Sequence, residues 1–219
     1  MKPEAYWYTL AGSLAGGLAG VLVAWLRQPR VRARDRTWQR VLATLAGCTA
    51  VSSAWWSFRH AFGAESPVLV PLTIILVTAL VSVIAACIHM PVPQTVLKLR
   101  SWEPRLLRAR HTGVRLFGVL LRRTPLGRLG GQVYLAAAAG NAGTVLADLL
   151  AAERLHLWAL VTTLPWFIRW GVDGRGLAVL TGLLVHLPLN VYPVLHLRLA
   201  RWRVSRWIAS HPRRRPAAA

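Results

Sequence analysis

Residues 155–170, LHLWALVTTLPWFIRW, and 177–197, LAVLTGLLVHLPLNVYPVLHL, flank a short link, Gly171-Val172-Asp173-Gly174-Arg175-Gly176. Each flank is apolar and close to the ~20 residues a helix needs to cross the hydrocarbon of a bilayer. Glycines on both sides of Asp173 favour a tight turn. The two flanks therefore read as an antiparallel helical hairpin lodged in a membrane. Three further stretches upstream have the same character: about Tyr6 to Leu26, Val41 to Phe62 and Val68 to Met90. Tyr6, Trp7, Tyr8 and Trp25 are placed as interfacial anchors of the first. Its Gly12, Gly16 and Gly20 form a smooth stripe suited to close packing against another helix of the chain. Pro91 and Pro93 end the third. The expectation is an all-α integral membrane protein with about five crossings.

Composition agrees with that expectation. Of 219 residues, 55% are hydrophobic and only 16% charged, against about 25% charged in a soluble domain. The net charge of +20 comes from 27 Lys+Arg and 7 Asp+Glu. A basic chain invites a nucleic-acid reading, but such a binder has no need of apolar blocks this long. A five-crossing layout explains the charge better. It puts residues 27–40, 91–154 and 198–219 on one side, and these hold 23 of the 27 cations. Lys2, Arg59, Arg169 and Arg175 fall on the other. Cytoplasmic loops collect Lys and Arg, so the N-terminus is expected outside and the C-terminus in the cytoplasm, in an inner (cytoplasmic) membrane. No nucleic-acid partner is expected, and no cleavable leader. Cys48 and Cys87, each inside an apolar block, read as small packing residues rather than a disulfide framework.

Four regions follow: 1–93, a three-helix N-terminal membrane region; 94–154, a basic cytoplasmic or interfacial helical region; 155–199, the C-terminal hairpin; and 200–219, a basic cytoplasmic tail. Within the second, 131–150 is read as an interfacial helix pair. Trp102 to Leu121 alternates Arg with apolar residues at helical spacing, as in a basic amphipathic helix lying on an anionic leaflet, or equally a solvated linker helix.

Ionisable groups inside membrane segments are costly and are candidates for function, and the hairpin holds most of them. Glu153 and His156 are three apart and share a helix face, as do His186 and Asn190, four apart. Folding the hairpin about residue 173 sets His156 level with Asn190 and Glu153 level with Pro193. Tyr192, His196 and Arg198 lie close by in sequence. A neutral His can take a proton from an attacking hydroxyl, with a nearby carboxylate holding its tautomer. Asn190 or an arginine could stabilise an oxyanion, and Arg198, Arg201, Arg203 and Arg206 could grip phosphates. The same spacing serves a hydrogen bond that only holds two helices together, and the arginines also suit positive-inside anchoring. No recognised metal-ligand spacing is present. Arg59 and His60, among Trp55, Trp56 and Phe58, suit snorkelling or an outer ligand site.

The stretches AAERLHLWALVTTLP (151–165) and HLPLNVYPVLHLRLARWRV (186–204) resemble the C-terminal hairpin of the glycosyl-4,4′-diaponeurosporenoate acyltransferases, which attach a fatty acyl chain to the sugar of carotenoid glycolipids. The family pattern pairs a Glu-x-x-His-Trp-like start with an Asn, then a Gln-Arg-Tyr-Asn-Arg-x-Arg run. Glu153, His156, Asn190, Arg198, Arg201 and Arg203 fall on matching positions. Trp158 lies one place beyond the family Trp, and Leu197 and Ala200 stand where the family has Gln and Asn. The segment VRLFGVLLRRTPLGRL (114–129) is similar to the family's preceding basic segment, and the first hundred residues lie outside the resemblance. It implies acyl transfer from an acyl-CoA co-substrate, with no bound cofactor, to a membrane-dissolved isoprenoid glycolipid. His156 would be the general base and Glu153 its orienting partner. Asn190, His186 and Tyr192 would contact substrate, and Arg198, Arg201 and Arg203 would hold the donor phosphates. The alternative is a non-catalytic assembly or scaffold protein of a lipid pathway or membrane complex, with a membrane protein partner.

Overall fold

A computed structural model describes residues 7, 8, 10–12, 14, 15, 37–87, 90–123 and 142–210. Most of the expected first crossing, including Gly16 and Gly20, lies outside the described residues, as do residues 27–36, 124–141 and the tail 211–219. The described residues are helical with no strand: α1 (Thr37–Phe62), α2 (Leu69–Cys87), α3 (Gln94–Leu97), α4 (Glu103–Arg108), a 3₁₀ turn (Arg110–Thr112), α5 (Val114–Arg123), α6 (Ala142–Val172), α7 (Gly176–His186), a π turn (Leu187–Val191) and α8 (Tyr192–Ser210). Two stretches among them are long and apolar enough to cross a membrane, Val41–Phe62 and Gly176–Ser210, and Leu69–Ala85 is apolar but shorter.

The chain divides into two compact units. The first comprises residues 1–90 and 158–187, the second 91–157 and 188–219. In the first, α1 and α2 form a pair and α7 packs on α2. Its core is built from small residues on α1, Ala50, Val51 and Ala54, against Leu76 on α2. Small side chains let the helices approach closely. A Cβ added at Gly47 would lie 2.8 Å from Val83 Cγ1, and Val83 is completely buried. Gly12 has the same kind of neighbour, with Phe58 of α1 3.0 Å from the position its Cβ would take. At this one described position the glycine stripe packs within the chain. Gly47→Leu is expected to lose about 1–3 kcal/mol through overpacking, more than the ~1 kcal/mol of helix propensity it gains. Thermal unfolding in detergent measures the loss, and Val83→Ala in the same chain should recover part of it.

In the second unit α8 is the central element. Leu199 packs with Leu107 of α4 and Val114 of α5, while Leu197 packs with Val145 and Leu149 of α6. The expected amphipathic helix over 102–121 is two helices and a 3₁₀ turn, because Gly113 takes a left-handed φ of +69° that breaks the run.

The hairpin turn is where the sequence puts it: α6 ends at Val172, Gly174 takes φ +68°, and α7 begins at Gly176. Three features differ from expectation. α6 begins at Ala142, so 142–154 continues the hairpin helix instead of forming a separate interfacial element. Good helix formers such as Ala, Leu and Glu run through this stretch with nothing to stop them. For the same reason α8 runs on to Ser210, well into the expected tail. The third difference is the π turn at 187–191. Pro188 has no N–H for the α ladder, so the helix widens there to i→i+5 bonding, a form found often at functional positions.

Candidate functional site

Within the second unit, His156 and Asn190 meet as the hairpin argument placed them. His156 Nδ1 lies 3.1 Å from Asn190 Oδ1. The π turn carries Asn190, which is completely buried, while His156 on α6 is half-buried. With the amide oxygen as acceptor, Nδ1–H donates and Nε2 carries the basic lone pair.

Glu153, one turn before His156 on α6, has different neighbours. It is 0% exposed. Its Oε1 accepts from Arg198 Nε at 2.8 Å, and its Oε2 accepts from Arg201. Arg198 also donates through Nη1 to both oxygens of Glu103 at 2.9 Å and through Nη2 to the Val96 carbonyl. Arg201 Nη2 donates to the Leu97 carbonyl at 3.1 Å. Two arginines and two carboxylates thus form a charge-neutral network with little solvent access, joining α8, α6, α4 and the end of α3. Arg198 and Arg201, expected to hold phosphates, have their donors directed at these protein acceptors. Arg203 is exposed.

Glu153 was expected level with Pro193, but its partners lie further along α8. The added residue of the π turn shifts the register, and the long guanidinium stems reach back toward α6. Glu103 did not stand out in the sequence. The signal for it in the sequence is its isolation: it is the one acid among the nine cations of 91–147, a setting that invites an ion pair.

Tyr192 and His196 form a second group with α5. Phe117 stacks on Tyr192 with centroids 5.5 Å apart and meets the His196 ring edge-on at 6.1 Å. Glycines make the room. A Cβ at Gly113 would approach Tyr192 Oη to 3.0 Å, and one at Gly118 would approach His196 Cε1 to 2.6 Å.

His186 belongs to the first unit and has other partners there. Its Nε2 lies 2.5 Å from Thr163 Oγ1, and its ring stacks on Phe167 with centroids 5.4 Å apart. Thr163 is completely buried and also bonds the carbonyls of Ala159 and Leu160 at 2.9 Å. Leu197 and Ala200 lie among Val145, Leu149 and Ala152 in the apolar contact between α8 and α6.

The chemistry open to the second-unit group is proton transfer at His156, beside a buried ion network that fixes the helices around it. Compared with models of protein families, with curated proteins and with solved structures, the chain matches none.

Proposed function

We propose that the chain is a multi-pass protein of the cytoplasmic membrane that transfers a fatty acyl group from an acyl-CoA-type donor to a hydroxyl of a glycosylated carotenoid or related isoprenoid lipid. The observation that carries this reading is the His156–Asn190 pair. Asn190 accepts from Nδ1 and so sets the tautomer in which Nε2 takes the proton of the acceptor hydroxyl. That oxygen attacks the thioester carbonyl, and the tetrahedral adduct expels the thiolate, which receives the proton from His156. Asn190 takes the orienting role expected of Glu153, while Glu153 holds the helices. Among Arg198, Arg201 and Arg203, the exposed Arg203 remains for the donor phosphates. The acyl donor and the glycolipid acceptor come from the resemblance of 151–165 and 186–204 to the carotenoid glycolipid acyltransferases. The topology of five crossings, N-terminus outside and C-terminus in the cytoplasm, rests on the asymmetry of Lys and Arg.

A second reading is a non-catalytic membrane scaffold or assembly protein. Two observations favour it: Arg198 and Arg201 are neutralised by Glu103 and Glu153, and Leu197 and Ala200, where the acyltransferases have polar residues, are in apolar packing. Lipid and pigment profiling of a strain lacking the chain separates the two. The acyl-transfer reading expects an acylated glycolipid to disappear, its unacylated glycoside to accumulate, and the wild-type chain to restore the product. An unchanged profile, with a membrane protein recovered in stoichiometric amount after mild solubilisation, is the result the scaffold reading expects.

A further inference from the structure

The first unit contains a cavity of about 310 Å³ that the proposed chemistry does not use. It lies where the last turn of α1, the loop 63–68, the start of α2 and the hairpin turn after α6 come together. Its walls are of two kinds. Trp55, Trp166, Leu69 and Val70 give it apolar sides, and Trp55 and Trp166 lie with ring centroids 5.7 Å apart. Its charged lining consists of three guanidiniums, Arg59, Arg169 and Arg175, and two carboxylates, Glu65 and Asp173.

The charges are not equally engaged. Arg169 Nε bonds Asp173 Oδ2 at 2.7 Å, and Arg175 pairs with Glu65 at 3.0 Å while also donating to the Glu65 carbonyl. The Arg175–Glu65 pair links the loop 63–68 to the hairpin turn, and the Arg169–Asp173 pair is local to the end of α6. The Arg59 guanidinium lies over aromatic faces, 5.3 Å from the Trp55 centroid and 5.9 Å from that of Trp56. Cation–π contact orients a guanidinium without neutralising it. Three cations against two anions leave the cavity with one net positive charge, centred on Arg59. Arg59 stands in the last turn of a helix long and apolar enough to cross a membrane; in such a crossing that turn is the part of the helix at the depth of the lipid phosphates.

We propose that this cavity binds the headgroup phosphate of an anionic phospholipid, with Arg59 as its principal contact and the Trp55–Trp166 wall against the upper part of the acyl chains. A phosphodiester carries the single negative charge the cavity lacks, and the guanidinium fork matches its oxygens. The site is in the first unit and does not depend on the chemistry at His156.

The test uses the full chain in a neutral detergent, offered phosphatidylglycerol or phosphatidylcholine, with retained lipid counted by native mass spectrometry. The expected result is preferential retention of phosphatidylglycerol, with its affinity reduced about tenfold by Arg59→Gln. Arg59→Lys, which keeps the charge but loses the fork, is expected to fall between the two. Arg105→Gln, an exposed arginine of the second unit, should leave retention unchanged. If Arg59→Gln melts well below wild type, Arg59→Lys becomes the deciding variant, and wild-type retention by it overturns the proposal. Equal retention of the two lipids overturns it as well. Displacement of the lipid by inorganic phosphate at matching concentration would assign the cavity to a free anion instead of a lipid.

Discussion

Glu153→Gln is expected to destabilise the second unit by about 3–5 kcal/mol, the usual penalty for removing one partner from a buried ion pair. The wild-type network is neutral, with Arg198 and Arg201 set against Glu103 and Glu153. Taking away the Glu153 charge leaves one guanidinium charge in excess in a region with little water. The mechanism makes a second, sharper expectation. Adding Arg201→Met to Glu153→Gln restores neutrality, leaving Arg198 paired with Glu103, so the double variant should be more stable than Glu153→Gln alone. Thermal unfolding of the four proteins in one detergent gives the coupling as a double-mutant cycle. If Glu153→Gln unfolds like wild type, the carboxylate does not hold the helices, and a role toward His156 comes back into consideration.

His156→Gln and His156→Ala are expected to lower acyl transfer by about 10²- to 10⁴-fold, the range general acid–base catalysis supplies. The two variants should separate chemistry from architecture. A Gln amide can still donate to Asn190 Oδ1 but cannot act as a base, so His156→Gln should melt near wild type. His156→Ala leaves the completely buried Asn190 amide without its contact to His156, at a cost of about 1–3 kcal/mol. Equal loss of transfer with unequal loss of stability is the expected pattern, read by turnover with an acyl-CoA donor beside melting midpoints. Full turnover in His156→Gln would remove the residue from the chemistry and require another base, whereas no turnover even in the wild-type chain would leave the scaffold reading.

Part of the candidate site could be read from spacing. A turn centred on residue 173 makes His156 and Asn190 level, and depth along a hairpin is a matter of counting residues at a fixed rise. The partners of Glu153 were not legible in this way. They depend on the register shift at the π turn and on α3 and α4, whose separation in sequence from α8 says nothing of their proximity. The division between His186 and Asn190 is of the same kind. Four residues apart, they read as one group, yet His186 bonds Thr163 in the first unit while Asn190 bonds His156 in the second.

The sequence by itself determined that the described chain is helical, that its apolar stretches include ones of membrane-crossing length, and that a hairpin turns at Asp173–Gly174. These follow from composition and local propensity, which act over a few neighbouring residues. Only the tertiary structure decided what the charged side chains do. Arg198 and Arg201 look like a phosphate clamp when read along α8, but a guanidinium pairs with whichever acceptor the fold brings within about 3 Å. Here those acceptors are Glu153, Glu103 and the carbonyls of Val96 and Leu97. Burial then makes the pairing strong, because ions held away from water interact through a lower dielectric and have no solvent to replace a lost partner.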